Sequence, residues 1–457
     1  MGNKTTIPEH GIPKAKLIEE IKNLKEQDVN WHGGNAFGYV YHTEDEHKKF
    51  TNEVYSLYAS TNALNPMAFP SLKKYEAEVV AMTADMLGGT EETVGSMTSG
   101  GTESILLAIK TYRDKAQSGL FKTKSPEMIM PRTAHPAFEK AAHYFGVKSV
   151  RISLNEDHTP NMEELKDAIN KNTILLVGSA CEYPRGMIDP IQEMAEIALD
   201  KKIGLHVDSC LGGFMLPWLK KLGYDIPPCD LSVEGVTSIS ADAHKYGYTA
   251  KGSSVLMFKD SSYQKAQYFA FADWPGGTYA SPSLGGTRPG GIIAASWAAM
   301  RAMGQDGYLK YAKITMETTE KLMKAVTDLP ELFICGRPDM TVFSFGAHEL
   351  NPYIISDAME SRGWVMDKMR EPRSLHLIVN PHQAAVTEQF AEDLKSIVEE
   401  YKEIGKRGMK KKYPEGSASL YGMIDMAAGS KLVVSKVKDY LADQFNEAMH
   451  PEDSDES

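Results

Sequence analysis

The sequence predicts an α/β fold in which a mainly parallel sheet is covered by helices on both faces. Two observations carry this. From Met128 to Ser240 short apolar runs alternate with helical patterns, the βαβα order that parallel strands require. The 457 residues, 42% hydrophobic and 24% charged, can bury a large core shared between two or three lobes.

The elements follow in order. Lys14 to Gln27 places Leu17, Ile18, Ile21 and Leu24 at helical spacing. This helix is expected to pack on its own domain, a clasp on a second subunit being the alternative. The segment Trp31 to Tyr41 is rich in glycine and aromatics, and too irregular for a long helix. Asn62 to Pro66 is turn-like, and Phe69-Pro70-Ser71-Leu72 opens a helix that runs to about Leu87, with Gly88-Gly89 as its stop. Thr98-Ser99-Gly100-Gly101-Thr102 comes immediately before the helical run Ile105 to Ile109. Small residues there gather backbone N–H groups and the positive end of the helix dipole at one point, where a phosphate can sit. A lone Gly-Gly turn is more often only a cap.

Strands fit Met128–Met130, Lys148–Ile152, Ile174–Val177 and Leu205–Val207. Helices fit Pro136–Phe145, Met162–Asn170 and Pro190–Lys201. Ligands of such sheets gather at the carboxyl ends of strands, where His135 and Asp208 fall. A carboxylate ending an apolar run is costly unless a cation meets it, and a protonated pyridine nitrogen would do so. Gly276 to Pro282 and Gly285 to Gly291 read as one long glycine-rich loop whose single cation is Arg288. A helix from about Ile292 leads into an α+β portion, and the acidic tail from Pro451 is expected to be disordered. The chain divides into an N-terminal segment (1–60), a large domain (61–300), a small domain (301–450) and a tail (451–457).

The stretch Ser238 to Ser254 holds the chemistry. A β-prone run leads into Asp242, His244 and Lys245, and Lys251 follows a Gly/Tyr turn. Most lysines beside a loop are solvated charges. Here the flanks are small or apolar, so Lys245 is expected to lose solvation and its pKa to fall, leaving an amine able to attack a carbonyl. A Schiff base to pyridoxal phosphate needs that.

A net charge of −11 argues against a general partner of nucleic acid or anionic membrane. Cys181, Cys210, Cys229 and Cys335 form no CxxC pair, so neither a disulfide framework nor a metal centre is expected, and a reducing, cytoplasmic setting fits. There is no signal-peptide pattern, and the longest apolar stretch, Ile292 to Met300, is too short to span a bilayer.

Together these motifs resemble the fold-type-I pyridoxal-phosphate enzymes of the group II decarboxylase-like family, and among them the sphingosine-1-phosphate lyases. The matching text is TSGGTESILLAIKTYRDKA (98–116), AHPAFEKAAHYFGVKSVRI (134–152), GMIDPI (186–191), LHVDSCLGGF (205–214), GVTSISADAHKYGYTAKGSS (235–254) and DWPGGTYASPSLGGTRPGG (273–291). The resemblance implies a seven-stranded sheet in the large domain, with a smaller C-terminal α+β domain. It implies that Lys245 forms the Schiff base, Asp208 pairs with the pyridine nitrogen and His135 stacks on the ring. Gly100, Gly101, Thr102 and His244 would hold the phosphate of the cofactor. Tyr41, Asn62, Asn65, Tyr183, Lys251, Arg288 and Tyr421 map to substrate handling, with Lys251 and Tyr41 also in the catalytic set. The implied reaction is retro-aldol cleavage of sphingosine 1-phosphate to a long-chain aldehyde and phosphoethanolamine; amino-acid decarboxylation on the same fold is the alternative. A homodimer with shared sites is implied, the Gly285–Gly291 loop serving the partner. Asn65 stands where relatives tend to carry histidine, Ser209 stands where alanine is usual, and the N-terminal membrane segment of eukaryotic relatives has no counterpart, which implies a soluble form.

Overall fold

The computed structural model describes residues 6–65, 67–118, 123–414 and 431–449. Helices α1 (Lys14–Lys25), α2 (Asp45–Tyr58) and α3 (Pro70–Met86) precede the first strand, β1 (Val94–Thr98). Strand and helix then alternate: α4 (Gly101–Ser118), β2 (Glu127–Pro131), α5 (Ala137–Phe145), β3 (Lys148–Ile152), α6 (Met162–Ala168), β4 (Thr173–Ser179), α7 (Ile191–Lys201), β5 (Gly204–Asp208) and α8 (Leu216–Lys221). Strands β6 (Ser238–Ala241) and β7 (Ser254–Phe258) complete a seven-stranded sheet of order β1-β7-β6-β5-β4-β2-β3. Pairing is parallel from β3 through to β6, and β7 runs antiparallel to both neighbours. Every residue of β2, β5, β6 and β7 is buried. A sheet covered on both faces takes unbroken apolar runs instead of alternating ones, hence the sequence pattern.

The chain continues through α9 (Ser261–Gln267), a hairpin of β8 (Phe269–Phe271) and β9 (Tyr279–Ser281), and α10 (Gly290–Thr327), which breaks at Gly304. Strands β10 (Leu332–Ile334) and β11 (Val342–Ala347), helix α11 (Pro352–Glu360), strands β12 (Asp367–Met369) and β13 (Ser374–Ile378), and helix α12 (Thr387–Lys412) follow. Their sheet is antiparallel, ordered β10-β11-β13-β12. A second core of Leu322, Phe343, Trp364 and Phe390 packs here, and Phe37 of the N-terminal loop inserts into it against Trp364 and Phe390. Ala36 also bridges to Val365. The N-terminal loop is thereby sewn to the C-terminal portion, and this fixes where Tyr39 and Tyr41 stand.

Two expectations need correcting. Helix α1 buries none of its residues, and Leu17, Ile18, Ile21 and Leu24 are all exposed, so it does not pack on its own domain. The glycine-rich stretch is not one loop, because Tyr279–Ser281 pairs with Phe269–Phe271. The aromatic and β-competent residues before the glycines form a hairpin, and the turn chemistry closes it. Tyr421 and the acidic tail lie outside the described residues.

Candidate active site

The carboxyl ends of the central strands and the first turn of α4 enclose a cavity of about 470 Å³. Gly100, Gly101, Thr102, His135, Asp208, His244, Lys245 and Lys251, scattered over 150 residues of sequence, all line it, together with Tyr41 and Tyr183. The parallel register does this: Asp208 ends β5 directly between Ser179 of β4 and Ser240 of β6. Its Oδ1 accepts the Cys210 N–H at 3.1 Å, and Ser240 Oγ lies 3.5 Å away. Beneath it His206 is buried, its ring nitrogens 2.8 Å from Ser238 Oγ and 3.3 Å from Ser240 Oγ. Burial pushes the His206 imidazole down to about 4, so it stays neutral beside Asp208.

At the start of α4 the backbone presses close to its surroundings. Gly100 takes φ +146°, and a Cβ on Gly101 would lie 2.8 Å from Asp242 Oδ2 and from Cys210 Sγ. The first N–H groups of the helix have no intrahelical partner. Gly100, Gly101 and Thr102 line the cavity at this helix start, and His244 Cε1 would lie 3.6 Å from a Cβ on Gly100. His244 Nδ1 lies 2.6 Å from the Ser253 carbonyl, and burial lowers its pKa.

Lys245 Nζ donates to Asp242 Oδ2 at 3.0 Å. Burial alone would lower its pKa as the sequence suggests, but Asp242, Cys210 and Asp208 together outweigh burial and hold it above the usual lysine range. The expected fall is therefore corrected: in the free chain the amine is an ammonium paired to Asp242. Asp242 is 2% exposed, and its Oδ1 has no hydrogen-bond partner. The depressed lysine is Lys251: the residue is exposed, but the protein packed around its amine and the nearby Lys245 charge push it down to about 8. Its Nζ donates to the Tyr39 carbonyl at 2.7 Å and stands 5.0 Å from the centre of the Tyr41 ring. Burial holds the Tyr41 hydroxyl well above the ordinary tyrosine range.

Asp367 of β12, which sequence reasoning missed, reaches the same cavity. Its two carboxylate oxygens accept from Tyr39 Oη at 2.5 Å and Tyr183 Oη at 2.6 Å. His376, paired with Asp367 across the strands, lies under the Tyr183 ring at 4.2 Å and is held neutral by burial at about 4. Nothing local in Trp364–Met369 signals this, since Asp367 arrives from a different sheet. Asp242 carried a signal, its place three residues before Lys245.

Three of the predicted residues stand elsewhere in the chain's own fold. Asn62 Oδ1 accepts the Leu64 N–H at 2.9 Å and the Arg288 N–H at 3.0 Å. The Arg288 guanidinium pairs with both oxygens of Glu76 and donates to the Met97 carbonyl. Asn65 is exposed, and its Oδ1 accepts the Met67 N–H at 3.0 Å. None of the three lines the Lys245 cavity; Arg288 lines the grooves beside it.

The pyridoxal-dependent decarboxylase conserved domain matches residues 2–348. Sphingosine-1-phosphate lyase of Oryza sativa is 44% identical over 406 residues, covering 87% of this chain and 75% of that protein. The chain belongs to the pyridoxal-dependent decarboxylase family, and within it to the sphingosine-1-phosphate lyases. Another lyase of this group, from Dictyostelium discoideum, is 41% identical over 451 residues, 98% of this chain and 84% of that protein. The solved sphingosine-1-phosphate lyase of Burkholderia pseudomallei is 43% identical with a TM-score of 0.84, covering 86% of this chain and 92% of that one. Glutamate decarboxylase of Lactobacillus brevis, at 18% identity and a TM-score of 0.76, shares the fold alone. The cofactor of this family member is pyridoxal 5'-phosphate, and the cavity suits it. A buried amine, a carboxylate at a strand end and a helix start with no room for a Cβ match the aldehyde, ring nitrogen and phosphate of that group.

Proposed function

We propose that the chain cleaves sphingosine 1-phosphate and related phosphorylated long-chain bases between C2 and C3, releasing a long-chain aldehyde and phosphoethanolamine. The observation that carries this is the pairing of the Lys245–Asp208 cavity with a second, depressed lysine, Lys251, in a chain 41–44% identical to named sphingosine-1-phosphate lyases.

When bound, pyridoxal phosphate supplies the electron sink for the carbanion left at C2. The residues around it have separable tasks. Lys245 would hold the cofactor, Asp208 would meet its ring nitrogen and His135 its ring, while Gly100, Gly101, Thr102 and His244 would hold its phosphate. Lys251, held at about 8, takes the proton from the C3 hydroxyl as the C2–C3 bond breaks and the hydroxyl carbon becomes the aldehyde, and a proton returns to C2 before phosphoethanolamine leaves. Tyr41 and Tyr183 cannot serve as that base, because burial holds both hydroxyls protonated; they orient the substrate as donors. Asp367 fixes Tyr183 and ties β12 to the cavity.

The working unit in this reading is a homodimer. Support comes from the bare apolar face of α1 and from Asn62, Asn65 and Arg288, which do not line their own chain's Lys245 cavity. A cytoplasmic setting is supported by four buried, unpaired cysteines and by the absence, among the described residues, of any helix long and apolar enough to cross a membrane. Incubation with sphingosine 1-phosphate should yield aldehyde and phosphoethanolamine in equal amounts. Carbon dioxide release from glutamate or aspartate, with no cleavage of the phosphorylated base, would replace this reading with a decarboxylase.

A further inference from the structure

Outside the cavity, the N-terminal loop gathers a second cluster of chemistry-bearing side chains. His32 lies in the 3-10 turn Trp31–Gly33, His42 follows Tyr41, and Asp45 begins α2. One ligand atom from each of these three lies within 4.8 Å of the others, and His42 Nε2 is 3.6 Å from Asp45 Oδ1. A fourth group comes from far along the chain. His382, in the 3-10 turn Pro381–Ala385, has its ring 6.0 Å from that of His42, which in turn is 5.8 Å from His32. The two turns pack on each other.

His382 provides the independent observation. The residue is half-buried; its two ring nitrogens are themselves buried and make no hydrogen bond of good geometry, with only the backbone of Trp31 and His42 close by. A buried polar atom without a good partner calls for an explanation, a bound water or ion among them. Two or three neutral imidazoles and one carboxylate form the donor set of zinc-class ions. Zinc–nitrogen bonds of roughly 2.0–2.1 Å set ligand atoms about 3.3 Å apart in a tetrahedron, so the spread of up to 4.8 Å among His32, His42 and Asp45 has about 1.5 Å to close by side-chain rotation. The Lys48 ammonium over the Trp31 ring opposes a cation here, and the Asp45 carboxylate offsets it.

We propose that His32, His42 and Asp45, with His382 as fourth ligand, bind one divalent zinc-class ion that ties the N-terminal loop to the C-terminal portion. Such a tether would act on Tyr39 and Tyr41, which leave the same loop for the cavity. The ion takes no part in the cleavage, so the proposal stands apart from the proposed activity.

The test uses untagged holoenzyme, stripped with a chelator and titrated with Zn²⁺ alone against a chromogenic competitor. One equivalent per chain should bind, and Zn²⁺ should raise the melting temperature. Asp45→Asn, at an exposed position that does not threaten the fold, should weaken binding ten-fold or more, as should His42→Ala and His382→Ala. His143→Ala, an exposed histidine outside the cluster, should leave it unchanged. No stoichiometric binding, or equal binding by wild type, Asp45→Asn and His42→Ala, would overturn the proposal; so would a matching loss in His143→Ala.

Discussion

At the scale of single residues the two active-site lysines divide the labour by their neighbours. Lys245 sits 3.0 Å from a buried carboxylate, whereas Lys251 has a carbonyl and a ring beside it and the Lys245 charge nearby. Asp242→Asn removes the charge that outweighs burial, so the Lys245 pKa should fall, each unit being worth about 1.4 kcal/mol. In cofactor-free protein at pH 8 an amine-directed reagent should then label Lys245 several-fold faster, read by peptide mapping; an unchanged rate would remove Asp242 as its partner. Lys251 gives the opposite kind of test. As a base it works neutral, so kcat/KM should rise with pH up to about 8 and level off above, because the ammonium is lost through that value. Lys251→Met should cost roughly 10²-fold or more and abolish that limb. If the limb persisted in the variant, another group would be titrating. Lys245 was legible because a lysine beside histidine, flanked by small residues, is an unusual strand ending. Its protonation was not, because sequence gives the neighbour but not the 3.0 Å.

The elements explain why so much of the lining of the Lys245 cavity could be read in advance. Parallel strands buried on both faces write themselves as short apolar runs, and the ends of those runs are where Asp208 and His135 fell. Helix α4 announced its start by its small residues, and the structure shows why they are small. Gly101→Ala would place a methyl 2.8 Å from Asp242 and Cys210, which are both buried, so the first turn must shift. Cofactor affinity should drop at least ten-fold by equilibrium dialysis, while far-ultraviolet circular dichroism stays native. A variant that keeps wild-type affinity would show that α4's first turn does not hold the phosphate. The residues that sequence missed lie on elements whose position depends on pairing at a distance. Asp367 enters from the antiparallel sheet, and Tyr39 is placed by Phe37 anchoring in a remote core.

For the whole molecule, a chain alone leaves two things unaccounted for: an amphipathic helix with no buried residue, and three predicted substrate residues away from the lysines. The homodimer proposed above would account for both. Four exposed apolar side chains, each able to contribute about 1.5–3 kcal/mol when fully buried, make α1 a costly surface to leave in water. The arrangement allows a sharp test, because a shared site can be assembled from two defective chains. Lys245→Ala lacks the amine. Arg288→Met with Glu76→Gln removes the guanidinium without stranding the buried carboxylate, since a lone charge there would destabilise the fold. Each variant alone should be nearly inactive. Mixed in equal amounts and allowed to exchange, half the dimers pair one of each, and every such dimer has one site with both native residues. Recovery should approach a quarter of wild-type activity, and Leu17→Glu with Ile21→Glu on both chains should abolish it together with the dimer peak in size-exclusion chromatography. A mixture that stays inactive while mass measurement shows mixed dimers would place Arg288 in service of its own chain or of none.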